Sequence, residues 1–176
     1  MKLRSDTLGN GNWLKFWPKY PMWAETTTLL ASRMPARPNV YLVDTDVVSE
    51  LRKRGKANQG VPAFFKAAAV RDAPLYLAAV TLGELRRGVE LIRYRGDSHQ
   101  ANLLERWLER LIEQYSENIL PFDAEAAQVW GRLRVLHPDN ALDKQIAATA
   151  LGNDLVLITR NVKHFAGTGV RLLFAN

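Results

Sequence analysis

From residue 38 onward, short unbroken apolar runs alternate with longer amphipathic stretches. "VYLVD" (40–44), "LYLAAV" (75–80), "NILPF" (118–122), "LVLITR" (155–160) and "VRLLF" (170–174) have the length and the aliphatic or aromatic content of buried strands. Between them, apolar residues recur every three or four positions. "TDVVSELRKRG" (45–55) predicts a helix with basic residues in its last turn and Gly55 at its end. "VPAFFKAAAVRD" (61–72) predicts a second, and "TLGELRRGVELIRYRG" (81–96) a third with Leu82, Leu85, Val89 and Ile92 on one face. "SHQANLLERWLERLIEQYSE" (98–117) predicts a long amphipathic helix whose stripe of Leu103, Leu104, Trp107, Leu108, Leu111 and Ile112 is expected in the core. "DAEAAQVWGRLRVLH" (123–137) and the Ala-rich "NALDKQIAATALGND" (140–154) complete the series. Strands separated by helices need crossover connections, so the pattern predicts an α/β protein with a parallel sheet.

Residues 1–37 break the pattern. They hold Trp13, Trp17 and Trp23, three of the five tryptophans, among Gly, Pro and Thr clusters with no sustained period. Met34 stands just before ordered pattern begins. The expected division is a leader over 1–37, poorly ordered or upstream of a true start at Met34, and one domain over 38–176. The leader also changes the meaning of the +6 net charge. It contains six basic and two acidic residues, against eighteen and sixteen in the remainder, so most of the excess lies outside the domain. Net charge is therefore a weak argument for a nucleic-acid partner. There is no cysteine, which excludes a disulfide framework and fits a reducing, cytoplasmic setting. No run reaches the roughly 18 apolar residues of a membrane span.

In a parallel sheet, ligands bind beyond the carboxyl ends of the strands, where the following helices begin. Asp44 and Asp46 follow the first predicted strand, Glu84 the second, and Thr159, Arg160 and Asn161 the fourth; Asp143 lies near the start of the Ala-rich helix. Each has an ordinary structural explanation. Glu84 completes Thr81-x-x-Glu84, a capping box. Asp143 and Asp46 suit the first turn of a helix, and Asn161 suits a turn. Asp44 is harder to explain so, because an acid directly after a buried strand is costly unless paired. None of these readings predicts that the acids should share one edge. Three carboxylates brought together repel, and a hard divalent ion such as Mg²⁺ or Mn²⁺ offsets that repulsion. His99, His137 and His164 lack zinc-site spacing and read as surface or loop residues. "GNG" at 9–11 is too little for a phosphate loop. The chemistry best suited to such an ion is hydrolysis of a phosphate ester.

"VYLVDTDVVSEL", "AAVTLGELRRGVE", "ALDKQIAATALGNDLVLITRN" and "VKHF", in this order, resemble the PIN domain, and more narrowly the VapC-type, FitB-like toxins of type II toxin–antitoxin pairs. The resemblance implies a three-layer α/β/α domain and a divalent-metal-dependent endoribonuclease using Mg²⁺ or Mn²⁺. It further implies RNA as substrate, a homodimer and a small cognate antitoxin; the stripe over residues 103–112, expected in the core, is alternatively a dimer or antitoxin surface. It assigns the metal-holding acids to Asp44, Glu84 and Asp143 and the fourth polar position to Asn161. Asp46 and Thr159 are expected to support them. Arg86, Arg87 and Arg160 are candidates to contact the RNA backbone, although Arg86 and Arg87 equally suit a solvated helix face. His164 stands where relatives often carry an acid. Two alternatives stay open. One is a catalytically weak module that binds RNA or antitoxin. The other is a haloacid-dehalogenase-like phosphatase with Asp44 as nucleophile and Asp46 as general acid, although the late acidic pair of that family is missing.

Overall fold

The structure, a computed structural model, describes residues 40–53 and 58–174. The leader, the alternative start at Met34 and the Gly55 stop signal lie outside the described residues. Five strands form one parallel sheet: β1 (Tyr41–Val43), β2 (Leu75–Ala78), β3 (Ile119–Leu120), β4 (Val156–Thr159) and β5 (Arg171–Phe174). Their spatial order is β3-β2-β1-β4-β5. The described residues form seven helices: α1 (Thr45–Leu51), α2 (Gly60–Val70), α3 (Ala79–Tyr94), α4 (Ser98–Gln114), α5 (Ala124–Leu136), α6 (Ala141–Gly152) and α7 (Val162–Phe165).

Both faces of the sheet are covered. Tyr41 and Val43 of β1, Leu77 of β2 and Val156 and Ile158 of β4 pack with α1 to α4. Their strand neighbours Leu42, Ala78 and Leu157 point the other way, into α5, α6 and α7. Alternation along a strand buried on both sides reads in sequence as an unbroken apolar run. The helices therefore form two layers around the sheet, the three-layer α/β/α arrangement expected. β1 is central. The chain steps from it through β2 to β3 on one side, then crosses to β4 and β5 on the other. The switch of direction lies between β1 and β4, the position beyond the strand ends where sheets of this kind bind ligands.

Two element boundaries and one burial pattern differ from expectation. α3 starts at Ala79, inside the run read as strand, because Val80 packs into the second core as a first helical turn. Periodicity cannot separate a buried strand from a buried helix start. β3 is only two residues long: a turn of 3₁₀ helix at Ser116–Asn118 precedes it, and Pro121, without an N–H, follows. On α4, Leu104, Leu108 and Leu111 are buried as expected, but Trp107 is half-buried and Leu103 and Ile112 are exposed. The stripe is therefore half core and half surface.

Candidate active site

The site begins where β1 ends. Val43 pairs with Ile158 of β4, so the next residues, Asp44 and Thr159, emerge side by side at the carboxyl edge. Asp44 caps α1: its backbone is extended and its Oδ1 accepts from Thr45 N at 2.7 Å. Its Oδ2 accepts from Thr159 Oγ1, also at 2.7 Å. Both residues are buried, Asp44 to 4% exposure. Burial, and then the adjacent Asp46 charge, push the Asp44 carboxyl up to about 7; Asp143 adds to the shift, while the Thr159 and Thr45 bonds oppose it.

Glu84 reaches the site by a route that its spacing did not suggest. Thr81 is fully buried in the first turn of α3, and Ala78, not Thr81, is the N-cap. The capping box does not form. Instead, Glu84 Oε2 accepts from Thr45 Oγ1 at 2.5 Å, a bond between the start of α1 and α3. Thr45 lies in the "VYLVDTDVVSEL" stretch but was assigned no role from the sequence; its contact with Glu84 follows from β1 and β2 being neighbours.

On the other side of β1, Asp46 lies in the first turn of α1 and accepts from Arg160 N at 3.2 Å. Partial burial raises its carboxyl above the ordinary aspartate range, and the Arg160 N–H opposes the shift. The Arg160 guanidinium turns away to Glu50 Oε1 at 2.8 Å. Glu50, buried to 4% exposure, also accepts from Lys53 and from Asn58 N. The Lys53 bond leads the contacts that draw its carboxyl below the usual range. Asp46 and Glu50 thus clamp α1 onto Arg160, just after β4, while Asp44 ties its N-terminus to Thr159 at the end of β4.

Asp143 lies in the first turn of α6, and the short α7 brings His164 to it: Nδ1 is 2.7 Å from Asp143 Oδ2 and 2.7 Å from Asn161 Nδ2. One ring nitrogen cannot donate to a carboxylate and accept from an amide at once. Turning the Asn161 amide over resolves this, since one Nδ1–H then lies between two oxygens. Lys144, buried beside Asp143, donates to the His164 carbonyl, and Thr159 Oγ1 accepts from Asn161 N at 2.9 Å. His164, read as a loop residue, is therefore a direct partner of Asp143.

Among the expected phosphate-binding arginines, Arg86 pairs with Glu105 at 2.6 Å and with Glu90 at 3.5 Å, which ties α3 to α4. Arg87 is exposed on α3.

The donor set fits a hard cation. Asp44, Asp46, Glu84 and Asp143 supply carboxylate oxygens, Thr45 and Thr159 supply hydroxyls, and Arg160 is committed to Glu50. Among the described residues, no three His, Cys, Asp or Glu side chains already form a metal cage. Oxygen donors spread around an edge suit an ion that keeps several of its waters.

A PIN-domain family model matches residues 41–169. Toxin FitB of Neisseria gonorrhoeae (strain ATCC 700825 / FA 1090) is 33% identical over 137 residues, covering 74% of this chain and 94% of FitB. VapC ribonuclease Y4jK of Sinorhizobium fredii (strain NBRC 101917 / NGR234) is 27% identical over 140 residues, covering 76% of this chain and 96% of that protein. The crystal structure of FitAcB from Neisseria gonorrhoeae matches with a TM-score of 0.65 at 32% identity, covering 76% of this chain and 96% of that one. The match runs from β1 through α7 and takes in every acid described above: the chain belongs to the PIN-domain family, beside the FitB and VapC proteins.

Proposed function

We propose that this chain is the toxin of a toxin–antitoxin pair and an endoribonuclease that hydrolyses RNA phosphodiesters with a divalent ion, Mg²⁺ or Mn²⁺. One observation carries the reading. Asp44 is buried at the end of β1 with Asp46 and Asp143 facing it, and burial first, then the Asp46 charge, pushes its carboxyl up to about 7. A protein that concentrates negative charge in this way has made a place for a cation. The ribonuclease name of one relative and the toxin name of another support the same reading.

Asp44, Glu84 and Asp143 would hold the ion, directly or through water. When bound, it polarises a phosphoryl oxygen and lowers the pKa of a bound water. The protein's own groups do the positioning. Thr45 orients Glu84, Thr159 orients Asp44, and His164 with Asn161 orients Asp143. Hydrolysis adds the water oxygen to phosphorus and breaks the bond to the leaving oxygen, which takes up a proton. Arg87 is the arginine of α3 left for the RNA backbone, since Arg86 is held by Glu105. A cytoplasmic location, a homodimer and a small antitoxin belong to the same proposal. No helix among the described residues is long and apolar enough to cross a membrane.

A second reading, a module that binds RNA or antitoxin without turnover, is favoured by the lack of a ready metal cage among the described residues. One experiment separates the two. The purified chain, freed of antitoxin, is incubated with structured RNAs in Mg²⁺, Mn²⁺ or EDTA, beside Asp44→Asn. Cleavage that requires metal and is lost in Asp44→Asn is expected. Metal-independent cleavage, or an equally active Asp44→Asn protein, would overturn the mechanism. RNA binding with no cleavage of any member would establish the binding module instead.

A further inference from the structure

One group at the carboxyl edge lies outside the oxygen-donor set. His164 Nδ1 stands 2.7 Å from Asp143 Oδ2 and 2.7 Å from the Asn161 amide. With the amide turned so that its oxygen faces the ring, a single Nδ1 proton sits between two oxygens. The ring is built into this position. Lys144, the one basic side chain buried among the described residues, donates to the His164 carbonyl. A buried lysine is costly unless its charge is satisfied, and here it fixes the backbone of a residue whose side chain is 42% exposed. Asn161 N donates to Thr159 Oγ1 at 2.9 Å, and the same hydroxyl donates to Asp44 Oδ2 at 2.7 Å. One hydrogen-bonded chain therefore links Asp44 to the segment that carries Asn161 and His164.

The spacing of these donors suits more than a proton. Donors on adjacent corners of an octahedral ion with bonds of about 2.1 Å lie roughly 3 Å apart. An ion can take the place of the Nδ1 proton, which leaves to water, while the donors open by only a few tenths of an ångström. The nitrogen then matters to the choice of ion. Mg²⁺ takes oxygen ligands, whereas transition ions accept imidazole more readily. Asn161 brings no charge to this side of the site, which leaves the ring nitrogen as the stronger donor beside Asp143.

Resting on the metal-site reading above, we infer that His164 is a nitrogen ligand of the divalent ion beside Asp143 and turns the site toward Mn²⁺ over Mg²⁺.

The test uses the full chain with Asp44 intact, without a histidine tag, antitoxin or RNA, and loaded with Mn²⁺. Electron spin-echo modulation of the bound Mn²⁺ reads nitrogen in direct contact with the ion. The expected result is a nitrogen signal that changes when histidine alone carries the heavy isotope of nitrogen, and that vanishes in His164→Gln. The ratio of Mn²⁺ to Mg²⁺ affinity, read by displacing Mn²⁺ with Mg²⁺, should fall roughly tenfold in His164→Gln. His164→Asp supplies an oxygen in place of the nitrogen and should lower the ratio by tightening Mg²⁺. Both variants keep the backbone carbonyl that Lys144 holds, and if either fails to fold, the isotope experiment on the parent decides alone. A ring that only orients Asp143 through a hydrogen bond gives no histidine signal and lowers both affinities together, leaving their ratio unchanged. That result would overturn the inference. Asp44→Asn separates it from the reading beneath it. If Mn²⁺ binds the parent, is lost in Asp44→Asn and shows no histidine nitrogen, the metal site stands and only the role of His164 fails. If the parent binds no Mn²⁺, both fail.

Discussion

Replacing Asp44 by asparagine should remove activity and at the same time stabilise the metal-free protein. The carboxyl holds its proton up to about 7 in the fold, against 3.8 as its ordinary value. Between these values the folded chain binds more protons than the unfolded chain, so stability falls as pH rises through that window. At ~1.4 kcal/mol per pH unit, the shift from 3.8 to about 7 opposes folding by about 4 kcal/mol above pH 7. Asparagine stays neutral and escapes this cost. Its amide has one acceptor oxygen where the carboxyl has two, so the bonds from Thr45 N and Thr159 Oγ1 are not both kept, a loss of about 1 kcal/mol. The advantage of Asp44→Asn over the parent should therefore be small at pH 5 and grow by about 3 kcal/mol by pH 8. For a domain of this size that is roughly 10 °C in melting temperature. Thermal denaturation of both proteins in EDTA at pH 5, 6, 7 and 8 measures it. Adding Mn²⁺ at pH 8 should raise the melting temperature of the parent and leave the variant nearly unmoved. A difference between the two proteins that stays flat across this pH range would refute the reasoning, because Asp44 would then not be a carboxylate frustrated by its surroundings.

Thr45→Val removes the hydroxyl that donates to Glu84 Oε2 and should lower Mn²⁺ affinity roughly tenfold, with little change in melting temperature. Calorimetric titration of Mn²⁺ reads this directly, and an unchanged dissociation constant would show that Glu84 needs no orienting partner. Gly167→Ala should destabilise the protein by about 1–3 kcal/mol, since φ is +76° there and an added Cβ would stand 2.7 Å from the His137 ring. Urea denaturation checks it; His137→Ala in the Gly167→Ala background should recover only the steric part of the loss.

The strand and helix pattern was legible because the central strands β1 and β4 are buried on both faces, whereas the edge strand β5 is largely exposed. Runs such as "VYLV" and "VLIT" have no other simple place in a soluble domain, and helices between them force parallel pairing. The acids could be assigned to one edge for the same reason: strand ends and helix starts coincide in a parallel sheet. Where the pattern misled, two structures shared one sequence signal. "AV" at 79–80 suited a strand end or a buried helical turn, and Thr81-x-x-Glu84 suited a capping box or a buried threonine preceding a site acid. Only the tertiary structure decided those cases. It set Thr45 against Glu84, tied Arg160 to Glu50 and brought His164 to Asp143, pairs separated by 39, 110 and 21 positions. Such contacts depend on which strands are neighbours and on how far each helix runs before it turns. Local periodicity records the burial of a residue but not the identity of the group it meets, and the chemistry of this site lies in those meetings.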